Sequence, residues 1–161
     1  MAVSGAGSAK RKNLNEITIA PFLKWAGGKR WFVQKYEQVL PKQYDRYIEP
    51  FLGGGSVFFH IKPQKALLGD CNQDLIDTYK GIKKDHIKIV DILSEHHRHH
   101  DEDYYYKIRA SKPQELIEKA AKFIYLNRTC FNGIYRVNRF GEFNVPKGSK
   151  SDVLLDTDDF Q

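Results

Sequence analysis

The tract from Tyr44 to Asp70 constrains the fold more than any other part of the chain. Tyr44 to Pro50 (YDRYIEP) reads as a short buried strand running into a glycine-rich turn, Phe51-Leu52-Gly53-Gly54-Gly55-Ser56. Val57-Phe58-Phe59-His60 then opens a helix, Ala66 to Asp70 (ALLGD) forms a second strand ending in an acid, and Asp74 to Tyr79 starts another helix. Strand, glycine turn, helix, strand and acid, in that order, is the opening unit of a doubly wound α/β sheet. The 161 residues suit one modest domain, and 41% hydrophobic with 13% aromatic residues is too apolar for a disordered tail. Apolar runs span only a few residues, so no transmembrane helix is expected. The two cysteines, Cys71 and Cys130, exclude a disulfide scaffold and read as reduced intracellular thiols. An excess of 26 Lys+Arg over 20 Asp+Glu, net +6, makes a polyanion the favoured class of partner.

Around this unit the pattern varies. Residues 1–16 are expected to be a flexible basic leader without the apolar stretch of a signal peptide. Ile19 to Trp25 reads as an extended entry, Ala26-Gly27-Gly28-Lys29 as a tight loop, and Arg30 to Leu40 as a helix ended by Pro41. From Lys84 the chain becomes helical. One helical face continues through Ile89, Ile92 and Leu93, and a second helix starts near Pro113 with Glu115–Lys119 and Glu118–Lys122 as i,i+4 pairs. Ile134–Asn138 and Glu142–Val145 are placed to pair as a hairpin across Arg139-Phe140-Gly141. The run His96-His97-Arg98-His99-His100 contains a ligand-like i,i+4 spacing. It lacks a partner cluster and reads as a solvated helix end, so no metal is expected. Tyr104-Tyr105-Tyr106 reads as packing for the helical region.

Three constellations carry chemistry. Gly53 and Gly55 let a ligand approach the backbone beside a helix start, and Asp70, 17 positions after Gly53, can accept hydrogen bonds from ribose hydroxyls. A dinucleotide fingerprint would need a third glycine where Phe58 stands, and Gly28-Lys29 lacks the spacing of a phosphate loop. An adenosine-type cofactor with little phosphate fits better. Trp25, between Lys24 and Lys29, offers a π face to an adenine or a sulfonium. In the stretch 126–139, Arg128, Arg136 and Arg139 alternate with Asn and aromatic residues, types that read base edges and wedge into a stack. Each also has a plain structural explanation: a glycine turn beside a surface Asp, a packed Trp with solvated Lys, and a hairpin held by Asn turns.

FLKWAGGK (22–29), EPFLGGGSVFF (49–59), GDCNQDLI (69–76) and LNRTCFNGIYRVNRFGEFNVPKG (126–148) occur together in one order. The series resembles the DNA adenine-N6 methyltransferases that methylate GATC sites, both solitary enzymes and those paired with restriction systems. The resemblance runs from Pro21 to Gly148. It implies an S-adenosylmethionine-dependent methyltransferase (Rossmann-like) fold, α/β and incomplete here, with an inserted, mainly helical target-recognition region and a β-hairpin. It further implies S-adenosylmethionine contacts from Trp25, Ala26, Gly27, Lys29, Phe51, Gly53, Gly55, Ser56 and Asp70. Contacts to double-stranded DNA are implied from Lys24, Phe131, Asn132, Ile134, Arg136, Asn138 and Pro146, with Arg128 added from its composition. Ser149-Lys150 replaces an Arg-aromatic pair common in the family, so no contact is assigned there.

The implied chemistry is direct methyl transfer to N6 of a flipped adenine, using in the family an Asp-Pro-Pro-Tyr motif. No Asp-Pro or Pro-Pro pair occurs in this sequence, so the chain is expected to stop before that motif and no catalytic residue is assigned. The expected division is a leader (1–16), the first part of a cofactor-binding domain (17–83), a target-recognition region (84–150) and the start of a returning segment (151–161). The expectation is a cytoplasmic, nucleoid-associated monomer of a bacterial or phage-infected cell. The alternative is an inactive truncated module that binds DNA or cofactor. An RNA or small-molecule methyltransferase is disfavoured by the hairpin.

Overall fold

The computed structural model describes residues 19–155, 158 and 160; the expected leader at 1–16 lies outside them, as does part of the segment 151–161. The element order is α1 (Arg30–Tyr36), β1 (Tyr47–Glu49), α2 (Ser56–Ile61), β2 (Ala66–Leu68), α3 (Gln73–Arg98), α4 (Glu102–Ala110) and α5 (Leu116–Thr129). The chain is thus mixed helix and strand with a small parallel sheet. β1 and β2 pair in the register Tyr47↔Ala66, Ile48↔Leu67 and Glu49↔Leu68. Backbone bonds continue past the strands, from Gly69 N to Glu49 O (2.9 Å) and from Leu52 N to Gly69 O (2.8 Å). These bonds carry the two strand ends, and the residues after them, to one place.

Local chemistry sets the helix limits. α1 stops at Tyr36 and tightens into a 3-10 turn over Glu37–Val39, short of the expected Leu40. Leu40 is extended (ψ 134) because it precedes Pro41, whose ring disfavours helical backbone at the residue before it. α2 begins one residue earlier than read from sequence, after Gly55 in the left-handed region (φ 69). Asn72 caps α3 by accepting the Leu75 N–H at 2.9 Å, and Asp101 caps α4 by accepting that of Tyr104 at 2.7 Å. α5 starts at Leu116, so Pro113 precedes the helix rather than sitting in its first turn. Lys122 does not reach for Glu118. Its ammonium donates to the carbonyls of Arg109 (3.1 Å) and Ser111, closing the end of α4, where unpaired carbonyls need donors.

The core is built where α3 and α5 cross. Leu75, Ile89 and Leu93 of α3 meet Ala120, Ala121 and Ile124 of α5, all buried, with Tyr105 and Tyr125 beneath them. α3 breaks at Asp85 (φ −161, ψ 81), whose carboxylate caps the second half through Lys88 N (2.9 Å). The expected division at 83/84 falls beside this break, inside one helix. The histidine run is only partly the solvated helix end expected. His96 Nδ1 meets the Tyr104 hydroxyl and His100 Nδ1 the Tyr125 hydroxyl, each at 2.8 Å, while His97 and His99 stay exposed. Among the described residues, no group of three or more His, Cys, Asp or Glu side chains is placed to hold a metal, and no helix is long and apolar enough to cross a membrane.

Candidate cofactor pocket and nucleic-acid interface

Where β1 and β2 end, the glycine turn and the Asp70 carboxylate meet. One Asp70 oxygen accepts the Gly53 N–H at 2.9 Å and the other accepts the Asn72 N–H at 3.0 Å. Gly53 has φ 53, and a Cβ there would stand 2.9 Å from Cδ1 of Trp25. Glycine is therefore required on both counts, conformation and contact. The result is a pocket of about 190 Å³ lined by Trp25, Ala26, Gly27, Gly28, Lys29, Phe51, Leu52, Gly53, Gly54, Ser56 and Asp70. All the residues expected at a cofactor line it except Gly55, which lies behind the turn against Phe59 and Tyr79. A carboxylate has about four acceptor positions, so Asp70 keeps two for a hydroxyl-bearing ligand.

Glu49, which the sequence reading did not single out, is the buried charge that anchors Lys29 of the pocket wall. It is buried at the end of β1 and accepts from Lys29 Nζ (2.9 Å) and the Tyr47 hydroxyl (2.7 Å). Lys29 also donates to Phe51 O at 2.7 Å, so one ammonium joins the first loop to the glycine turn. The Tyr79 hydroxyl donates to Gly53 O at 3.2 Å, and burial followed by the nearby Glu49 and Asp70 raises the pKa of that phenol. An acid before Pro50 at a strand end was the available signal for Glu49.

The DNA candidates gather on a second surface. Phe131, Asn132, Ile134, Arg136 and Pro146 are all exposed, as is Lys24. Asn132 stands in the left-handed region (φ 55) of a 3-10 turn over Phe131–Gly133, a conformation that Asn tolerates better than most residues. The expected hairpin forms in outline, with bridges Val137↔Phe143 and Cys130↔Lys147 rather than continuous strands. Arg136 is aimed by Asn144, its Nε donating to Oδ1 at 2.8 Å. Asn138 shapes the turn: its Oδ1 accepts from Phe140 N (2.9 Å) and Glu142 N (3.0 Å). Lys24 carries a lowered pKa, first through partial burial and then through Lys150 beside it, which brings the unassigned Lys150 to this surface.

Arg128 is a correction. Expected to face DNA, it is 5% exposed. Its place in the last turn of α5 turns it inward, where it grips both Asp158 carboxylate oxygens at 2.6 Å and donates to Val153 O at 2.7 Å. A bidentate ion pair of this kind holds chain segments together.

Two residues of the stretch 126–139 join the pocket to the hairpin. Asn127 Oδ1 accepts the Lys24 N–H (2.9 Å), while its Nδ2 donates to Lys24 O (2.8 Å) and Gly133 O (3.3 Å). The side chain thus pairs with Lys24 as a neighbouring strand would. Tyr135 stacks on Trp25 with centroids 5.5 Å apart and planes 30° apart. That contact, with Phe123 at 6.1 Å, occupies one side of the indole, so the Trp25 ring is not free on both faces. A larger cleft of about 750 Å³ is also lined by Tyr135. The polar groups there satisfy one another through Lys112–Glu142 (3.0 Å) and Tyr135–Asp74 (2.7 Å), so the small pocket with its free Asp70 acceptors is the better ligand site.

Comparison with known proteins gives the family. The family model described as D12 class N6 adenine-specific DNA methyltransferase matches residues 25–154. The chain is 40% identical over 140 residues to the Type II methyltransferase M1.LlaDCHI of Lactococcus lactis subsp. cremoris, covering 83% of this chain and 49% of that protein. It is 40% identical over 153 residues to the Type II methyltransferase M.MjaIII of Methanocaldococcus jannaschii, covering 82% and 53%. It is 38% identical over 131 residues to the DNA adenine methylase of Escherichia coli, covering 79% and 47%. The chain spans about half the length of the curated relatives it matches. With the family match covering most of the sequence, the chain belongs to the D12 class N6 adenine-specific DNA methyltransferases.

Proposed function

We propose that this chain supplies the cofactor-binding and DNA-reading parts of an S-adenosylmethionine-dependent methyltransferase acting on adenine N6 within GATC. The observation that carries the reading is the junction just described. A pocket with a fixed, ribose-ready carboxylate is tied through Asn127 and Tyr135 to a loop that exposes Phe131, Asn132, Ile134 and Arg136. In this reading β1, β2 and α2 begin a Rossmann-like sheet, and the helical region with its hairpin is the inserted target-recognition region.

The residues suit the cofactor. Asp70 has acceptor positions left for a vicinal diol, and Gly53 leaves the pocket without a Cβ where backbone and Trp25 converge. The pocket of about 190 Å³ is smaller than the roughly 300 Å³ of small ligand sites, so it takes part of the molecule. S-adenosylmethionine, when bound, supplies the methyl group as an electrophile on sulfur. Asp70 would hold the ribose and Trp25 and Phe51 would contact the cofactor from the pocket wall, while Lys29 fixes the turn through Glu49 and Phe51 O. On the DNA side, Arg136 suits bidentate recognition of guanine and Phe131 suits a wedge beside an extruded base. The working form is a monomer on duplex DNA in the cytoplasm.

Calorimetry with S-adenosylmethionine tests the first half, and retardation of GATC duplexes against scrambled ones tests the second. Binding of both ligands, with preference for GATC, is expected. In the whole protein, tritiated methyl label should appear on adenine of GATC duplexes. A chain that takes up neither ligand sinks the proposal.

A further inference from the structure

Tyr135 occupies a position that its neighbours do not. Ile134 and Arg136 are exposed on the DNA-reading surface, whereas the ring between them turns back and stacks on Trp25 at 5.5 Å. Its hydroxyl donates to Asp74 Oδ2 at 2.7 Å, and burial followed by this carboxylate raises its pKa to about 12, so it remains a donor. Asp74 stands in the first turn of α3, whose cap Asn72 is itself bonded to Asp70. The contacts close a ring: Asp70 to Gly53, Gly53 to Trp25, Trp25 to Tyr135, Tyr135 to Asp74, and back through Asn72. Three members of that ring, Asp70, Gly53 and Trp25, line the small pocket, and the hairpin joins the ring at Tyr135.

Each attached segment is tied to the rest of the molecule largely through side chains. The hairpin has isolated bridges and a few backbone bonds, such as Asn144 N to Arg136 O (3.2 Å), in place of a continuous ladder, and the Trp25 loop adds the Asn127 amide on Lys24 to its own turn bond, Gly28 N to Trp25 O (3.0 Å). Segments with few backbone bonds lie at the low end of local stability, and a ligand that orders one lowers the ordering cost left for the next. We propose that Tyr135 is a positioning residue that makes cofactor binding and DNA reading cooperative, acting through its stack on Trp25 and its bond to Asp74. The inference rests on the functional reading above.

The test uses the full chain, S-adenosylhomocysteine and a fluorescent GATC duplex. Each ligand's affinity is measured with and without the other, by calorimetry and by anisotropy. Each should tighten the other by about five-fold or more, and by the same factor in both directions, as linkage requires. Tyr135→Phe keeps the ring and removes the bond; it should bring the factor towards one with little change in either separate affinity. Asp74→Ala should do the same, while Asp74→Asn, which keeps an acceptor, should restore the coupling. Coupling that is absent in the native chain, or unchanged in Tyr135→Phe, overturns the inference even when both ligands bind. Binding of neither ligand overturns the functional reading itself, and this inference with it.

Discussion

At the scale of residues, Asp70 has two separable duties. Its carboxylate fixes the glycine turn through Gly53 N and α3 through Asn72 N, and it presents the remaining lone pairs to the pocket. Asp70→Ala should therefore weaken S-adenosylmethionine binding by at least ten-fold, since hydrogen bonds to a charged group contribute about 1.5–3 kcal/mol. Asp70→Asn keeps one acceptor and should lose less. Calorimetry on the two variants checks the order, and equal affinity for all three proteins would remove Asp70 from the site. The meeting of Asp70 with Gly53 was legible because it depends on position along the chain: an acid at a strand end, a glycine in the preceding turn. Asn127 and Tyr135 were not, because their partners lie 103 and 61 positions away. Arg128 was misread for the same reason. Composition reports that an arginine is present, but not that Asp158 waits for it in the interior.

At the scale of elements, the α3–α5 crossing depends on one missing side chain. A Cβ at Gly81 would stand 2.6 Å from that of Ala120 and 3.3 Å from Leu116 O. Gly→Ala inside a helix ordinarily gains up to about 1 kcal/mol. Here overpacking, at about 1–3 kcal/mol, should win. Urea denaturation should show Gly81→Ala less stable than the native chain, with Ala120→Gly in the same molecule recovering part of the loss. A second junction, of α3, α4 and α5, holds His96 8% exposed against Tyr104 and Tyr125. Burial lowers its pKa from 6.5 to about 4, against a smaller opposing effect of Glu95. The unfolded chain therefore takes up a proton near pH 6.5 that the folded chain refuses until about pH 4. Stability should be unaffected by this group above pH 7, fall as pH drops from 6.5 to 4, and level off below, at a cost of at most about 3 kcal/mol. His100, also lowered by burial first, adds a slope of the same sign. Denaturation at several pH values should show a shallower fall for His96→Gln. The start of α3 and the stop before Pro41 are local, so sequence located them; α4 went unread beside the histidine run despite its local cap at Asp101, and the break at Asp85 and the turning of Lys122 onto α4 are tertiary, so sequence missed those too.

At the scale of the whole molecule, the proposed DNA reading raises the question of how a chain with net charge +6 would divide its attraction for DNA between charge and sequence. Lysines and arginines that meet phosphates release counterions, so each such contact contributes about 0.9 to the slope of log affinity against log salt, whatever the sequence. A side chain that reads a base edge contributes discrimination, worth about 1–3 kcal/mol at its own position. Under the proposed function, two exposed cations stand for the two classes. Arg136 is exposed but braced by Asn144, the arrangement of a group held in one orientation. Lys150 is an exposed ammonium set against that of Lys24, two like charges side by side, the arrangement of a phosphate contact. Anisotropy titrations with GATC and scrambled duplexes, at about 50 and 200 mM salt, should therefore resolve them. Lys150→Ala should weaken binding to both duplexes equally and reduce the salt slope by about one. Arg136→Ala should weaken the GATC duplex about ten-fold or more, leave the scrambled one nearly unchanged, and so abolish most of the preference. Arg128→Ala should do neither, because its charge is spent on Asp158; its effect should appear as lost stability, about 3–5 kcal/mol for breaking a buried pair. If Arg136→Ala lowered both affinities in parallel, the hairpin would be a phosphate-binding surface, and sequence discrimination would have to come from elsewhere in the protein.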